Sequence, residues 1–67
     1  MRKANYLKLK EQLGIIREIE ELYVPAMSRG DNPQVDGKTY QEAIFDQARI
    51  LIISLEEVLE DEEDYLE

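Results

Sequence analysis

Apolar positions recur every three or four residues over two long stretches of this chain. In the first they fall at Tyr6, Leu9, Leu13, Ile16, Ile19, Leu22 and Tyr23, and Ile15 widens the stripe. That spacing follows the 3.6-residue turn of an α-helix and not the two-residue alternation of a strand. It predicts a first helix over about residues 3–24. Pro25 has no amide hydrogen and disfavours helical angles at Val24, so it is expected to end or kink that helix. Residues 26–29 would add a bent last turn, with Gly30 as its stop. Gly14 lies inside the pattern, where it costs about 1 kcal/mol relative to alanine.

A loop is predicted over about residues 28–38. Its Gly-Asp-Asn-Pro-Gln-Val-Asp-Gly-Lys run, residues 30–38, concentrates turn-forming side chains. Thr39 and Glu42 then stand at the spacing of a capping box, in which the hydroxyl takes the N3 amide and the carboxylate reaches back to the N-cap amide. A second helix over about residues 40–60 follows. Its row Ile44, Ala48, Leu51, Leu55, Val58 steps by four and three, as a coiled-coil seam does. A second row, Phe45, Ile52, Leu59, repeats every seven residues beside it. Residues 60–67 form an acidic tail.

The run Ile50, Leu51, Ile52, Ile53 decides the expected architecture. Consecutive helical residues point about 100° apart, so these side chains face in every direction. One partner helix covers only one side of them. The expected fold is therefore all-α: an antiparallel two-helix hairpin, one domain over residues 1–67, dimerising into a four-helix bundle. Ile44, Ala48, Leu51, Ile52, Ile53, Leu55, Val58 and Leu59 are the expected oligomer interface. Leu51, Ile52, Leu55 and Val58 with Leu13, Ile16 and Ile19 are the expected centre of the bundle.

Size and composition point the same way. A chain of 67 residues with no cysteine and no histidine has neither a disulfide framework nor the usual zinc ligands. Small scaffolds need some staple, and association with another chain is the one left. Without histidine or cysteine, the hydroxyls of Ser28, Ser54, Thr39 and the tyrosines have no customary partner for nucleophilic catalysis. A hairpin also offers no cleft in which a carboxylate pair could be tuned. The expectation is no enzyme, no catalytic residue and no cofactor. An EF-hand frame from Asn32 fails because its twelfth position is Ala43 and not a bidentate glutamate, so no metal site is expected. The longest apolar run is four residues, against the ~20 that cross a bilayer. The N-terminal residues carry no apolar signal segment, and the location expected is the cytoplasm.

Charge adds the one functional hint. Residues 1–38 hold seven Lys/Arg and six Asp/Glu, whereas residues 39–67 hold one Arg and ten Asp/Glu. A net charge of −8 argues against direct contact with nucleic acid or an anionic membrane and favours a basic protein partner. In an antiparallel hairpin Arg2, Lys3, Lys8 and Lys10 would face Glu56, Glu57, Glu60 and Asp61. Carboxylates three or four residues apart on a helix stand ~5–6 Å from each other, a spacing close to that of backbone phosphates. Glu56, Glu57, Glu60, Asp61, Glu63, Asp64 and Glu67 are thus the candidate partner-binding surface. The function expected is a regulator or inhibitor that docks on a basic, nucleic-acid-handling protein, in the manner of DNA-mimicking inhibitors of phages and mobile elements. The alternative is a structural subunit that works through its apolar interface, with the acidic tail only solubilising.

Two short segments resemble known families. Gly37-Lys38-Thr39-Tyr40-Gln41-Glu42-Ala43 resembles the helix start of HicB-type antitoxins, a family with strands upstream where this chain has a helix. Val35-Asp36-Gly37-Lys38-Thr39-Tyr40 is similar to the loop-to-helix junction of AbbA-type antirepressors, small dimeric helical proteins whose role is to mimic DNA. Each covers six or seven residues, and capping chemistry alone generates both, so neither assigns a family.

Overall fold

A computed structural model describes residues 1–66, without the side chain of Tyr65. Two helices, α1 (Lys3–Ser28) and α2 (Tyr40–Leu66), pack against each other as an antiparallel hairpin. The body is a rod of 51 × 16 × 16 Å.

Pro25 does not end α1, contrary to the expected boundary at Val24. The helix runs through it to Ser28. Pro25 and Glu21 are both exposed, so the carbonyl deprived of its donor lies on the wet side of the helix. The stop is the expected glycine. Gly30 takes a left-handed φ of 86°. Its amide donates to the Met27 carbonyl, and the Asp31 amide donates to the Ala26 carbonyl, each at 3.0 Å. These two bonds make a Schellman motif.

The loop closes on a second tight turn. Val35 and Lys38 exchange two backbone hydrogen bonds of 3.0 Å, with Asp36 and Gly37 between them at φ 53° and 76°. Two successive positive φ values define a type I′ turn, which Asp-Gly favours. Thr39 then caps α2. Its Oγ1 accepts from the Glu42 amide at 3.3 Å and donates to the Glu42 carboxylate at 3.2 Å. The cap is therefore closed between the two side chains, where the sequence pattern leads one to expect the carboxylate on the N-cap amide.

α2 continues to Leu66, so residues 61–66 are helix and not a separate tail. The seam between the helices is also turned from the expected one. On α2 it is made by Ile44, Gln47, Leu51, Ser54 and Val58, of which Gln47, Ser54 and Val58 are buried. On α1 it is made by Asn5, Gln12, Ile16, Ile19 and Tyr23. Only two apolar side chains among the described residues are buried, Tyr23 and Val58, both 2% exposed. The hairpin's interior thus holds Asn5, Gln47 and Ser54 where a self-sufficient core would hold leucine.

The polar members of the seam are satisfied. Gln47 Nε2 donates to Gln12 Oε1. Tyr23 donates from its hydroxyl to the Lys38 carbonyl at 2.8 Å and tilts against Tyr40, with ring centroids 5.7 Å apart. Tyr23 thereby ties the loop to both helices. Gly14 has nothing within 4 Å of where a side chain would start, so no close helix approach needs it.

Candidate interaction surfaces

The first surface is apolar. Most seam residues are followed in sequence, one step round the helix, by a large apolar side chain, the exceptions being Arg17, Glu20 and Ala48. Tyr6 follows Asn5 and Leu13 follows Gln12 on α1. Phe45, Ile52, Leu55 and Leu59 follow Ile44, Leu51, Ser54 and Val58 on α2. One residue is a turn of about 100°. The helices run in opposite directions with their seams facing, so this same rotation brings both stripes out on one side of the hairpin. Tyr6, Leu13, Phe45, Ile52 and Leu59 are 49–61% exposed there. Leu9, Ile16 and Ala48 line the inner edge of the face, half-buried. Arg17 and Glu20 are charged side chains within the stripe of α1.

The opposite flank differs. Leu22, Ile50 and Ile53 are exposed on it, but Glu11, Glu18, Asp46 and Glu57 are interspersed among them. The expected interface residues are therefore divided by the structure. Ile52, Leu55 and Leu59 lie on the continuous apolar face, and Ala48 is at its edge. Val58 is buried inside the hairpin, and Ile44 and Leu51 are in its seam, so these three serve the intramolecular contact. Ile53 looks away from the face.

The second surface is acidic, and the hairpin uses much of it. Asn5 Nδ2 donates to Asp61 at 2.7 Å and to Glu62 at 2.9 Å. The Arg2 amide donates to Glu62 at 3.1 Å, and its guanidinium lies 3.1 Å from Asp61. The Met1 amino group stands 3.5 Å from Glu62, and Lys8 pairs with Glu57 at 3.0 Å. α1 has no side-chain cap and no acidic residue in its first turn. Asp61 and Glu62 of α2 supply both. Two carboxylates that oppose the dipole of their own helix sit at the positive end of the other. Glu62 is held below the usual carboxylate range, chiefly by the Arg2 amide and then by Asn5. Glu62 was not among the expected site residues; the missing acid at the start of α1 was the signal that could have found it.

Of the expected acidic residues, Glu57 and Asp61 are thus engaged within the hairpin. Glu56, Glu60, Glu63 and Asp64 are exposed and make no ion pair among the described residues. Glu67 lies outside the described residues. Lys3 and Lys10, expected to face the acidic end, make no such bridge either; Lys10 Nζ lies 5.9 Å from the centre of the Tyr6 ring. At the loop end Lys38 pairs with Asp46 at 2.8 Å. That contact raises the lysine pKa and lowers that of the carboxylate.

No helix among the described residues is long and apolar enough to cross a membrane. Comparison with family models, with characterised proteins and with solved structures finds no match for this chain.

Proposed function

We propose that this chain is a non-enzymatic protein–protein interaction module that works as a homodimer, its two hairpins joined through their apolar faces into a four-helix bundle. The observation that carries this reading is the apolar surface left outside the hairpin. Asn5, Gln12, Gln47 and Ser54 take up part of the intramolecular seam, while Tyr6, Leu13, Phe45, Ile52 and Leu59 stand in water. A contiguous apolar patch of that kind marks an association surface. Sedimentation equilibrium tests it. The native chain should run at about twice 7.9 kDa, and Leu59→Glu should return it to monomer mass while leaving it helical. A native chain that stays monomeric across the micromolar range overturns the reading.

A second reading has its own observation. Glu60 and Asp64 remain exposed, without an ion-pair partner among the described residues, on the side of α2 away from the apolar face. They fit the role of a carboxylate ridge that docks a basic, nucleic-acid-handling protein, with the module acting as its regulator or inhibitor. Binding to a basic peptide should weaken steeply as salt rises and should be lost in the Glu60→Gln, Asp64→Asn variant. Substitution is the sharper tool than removal of residues 60–67, because Asp61 and Glu62 hold Asn5 and the start of α1.

A further inference from the structure

We infer that the flank opposite the apolar face is the docking surface for a cationic amphipathic helix of another protein, one with apolar side chains two turns apart and lysine or arginine between them. This rests on the basic-partner reading above and gives it a place and a shape. The exposed carboxylates of Glu60 and Asp64 continue this flank towards the end of α2.

The flank is built from the residues that precede the seam residues, one step of about 100° the other way round each helix. The register set by the Lys8–Glu57 and Tyr23–Tyr40 contacts puts Leu22 level with Ala43, Glu18 with Asp46, and Ile15 with Ile50. The surface is therefore layered. It is apolar at Leu22 and Ala43, acidic at Glu18 and Asp46, apolar again at Ile15 and Ile50 with Ile53 beside them, and acidic beyond at Glu11 and Glu57. Leu22, Ile50 and Ile53 are 47–60% exposed. The two apolar layers are seven residues apart on both helices, about 10 Å along the rod. A third helix laid in the groove repeats at that same spacing. Its apolar side chains meet the apolar layers, and the side chains three or four positions on meet the acidic ones.

Charge selects the occupant. The cations that reach this flank are engaged within the chain: Lys8 by Glu57, Lys38 by Asp46 and Arg29 by Asp31. Arg49, on its outer border, is one turn from Asp46 and helps to hold it ionised. Glu11 and Glu18 are exposed and make no ion pair among the described residues. A second copy laid here would add carboxylates to a flank where they already outnumber the cations, and a nucleic acid or an anionic membrane would meet like charge. The apolar face differs, because Lys3, Lys10, Arg17 and Arg49 border it beside Glu20, Glu56 and Glu63. A cationic helix supplies the sign that Glu11 and Glu18 lack while it covers Leu22, Ile50 and Ile53.

The probe is a labelled peptide of three alanine-based heptads, each with leucine at its first position and lysine at its fourth and fifth. Fluorescence anisotropy at low salt should show it binding the native chain. Leu22→Gln with Ile50→Gln should weaken that binding at least ~10-fold. Glu11→Gln with Glu18→Gln should weaken it several-fold and flatten its salt dependence. These side chains are exposed, so circular dichroism should show native helicity in both variants. A peptide with proline in its middle heptad should bind at least ~10-fold more weakly; equal binding means an extended ligand and overturns the helix. Undiminished binding by the Leu22→Gln, Ile50→Gln chain overturns the docking surface. So does a native chain that binds oligolysine and not this peptide, which leaves the carboxylate ridge of Glu60 and Asp64 standing. A native chain that binds neither overturns both.

Discussion

The seam between α1 and α2 and the flank beside it divide the labour of a core in an unusual way. The seam is partly polar: Asn5, Gln12, Gln47 and Ser54 share it with Ile16, Ile19, Tyr23, Ile44, Leu51 and Val58. The flank is apolar but wet, with Leu59 61% exposed at one end and Phe45 57% exposed at the other. The polar members of that seam contribute specificity. The amides and carboxylates in it bond to particular partners on the other helix, and a slipped register would leave those groups unpaired at about 1–3 kcal/mol each. The flank holds the apolar area that would drive the proposed association, at roughly 25 cal/mol per Å² covered. In the proposed dimer, register and driving force would be supplied by different faces of the same two helices.

Breaking the seam at its apolar anchors should have the largest effect. Tyr23→Ala removes one of the two apolar side chains buried among the described residues, the ring contact with Tyr40 and the bond to the Lys38 carbonyl. A loss of ~3–5 kcal/mol is expected for a buried aromatic, enough to abolish the cooperative thermal transition followed by circular dichroism. If the transition survives with its midpoint intact, the seam is not what holds the hairpin.

The flank should answer a different measurement. Ile52→Gln with Leu59→Gln should weaken self-association at least ~100-fold, since each side chain is removed from both copies at ~1.5–3 kcal/mol apiece. Helicity at high protein concentration should persist. Unchanged sedimentation would mean that the exposed stripe does not carry the contact.

A subtler change sharpens the contrast. Gln47→Leu alone strands Gln12 and should cost ~1 kcal/mol in chemical denaturation, whereas Gln12→Leu with Gln47→Leu should recover that loss. Recovered stability with a heterogeneous oligomer population would show that the polar pair selects the register.

Acid should loosen the seam at one end. Glu62 has a lowered pKa in the folded chain, so its contribution is complete above its ordinary value of 4.5 and is lost as pH falls through the lower folded value. The Glu62→Gln variant should therefore lose less melting temperature than the native chain between neutral pH and pH 3. Parallel curves for the two proteins would count against the contact of Glu62 with Arg2 and Asn5. The smallest effect belongs to Lys38→Ala. It breaks an exposed ion pair with Asp46, and the melting midpoint should move by little more than its measurement error.

Much of the fold was legible along the chain because helices are local. The three- and four-residue spacing, the Thr39–Glu42 cap, the Asp36-Gly37 turn and the Gly30 stop each depend on residues within a turn of one another. Of the two outcomes expected at Pro25, an end at Val24 did not occur, because the residue's local preference against a preceding helical residue was outweighed at an exposed site. The acidic residues misled for a related reason. Asp61 and Glu62 look superfluous on α2 alone, and their use is visible only beside the uncapped start of α1.

The sequence by itself determined two amphipathic helices, their order and their antiparallel pairing, since periodicity and turn chemistry are properties of neighbouring residues. It also determined that the pair has more apolar surface than one hairpin covers. Which side of each helix turns inward was decided by the tertiary structure alone. A rotation of one residue, about 100°, exchanges the Leu51, Ser54, Val58 side for the Ile52, Leu55, Leu59 side, and α2 carries apolar residues on both. The choice falls to contacts between residues far apart in the chain, Asn5 with Asp61 and Gln12 with Gln47, whose partners a reading along one helix does not see.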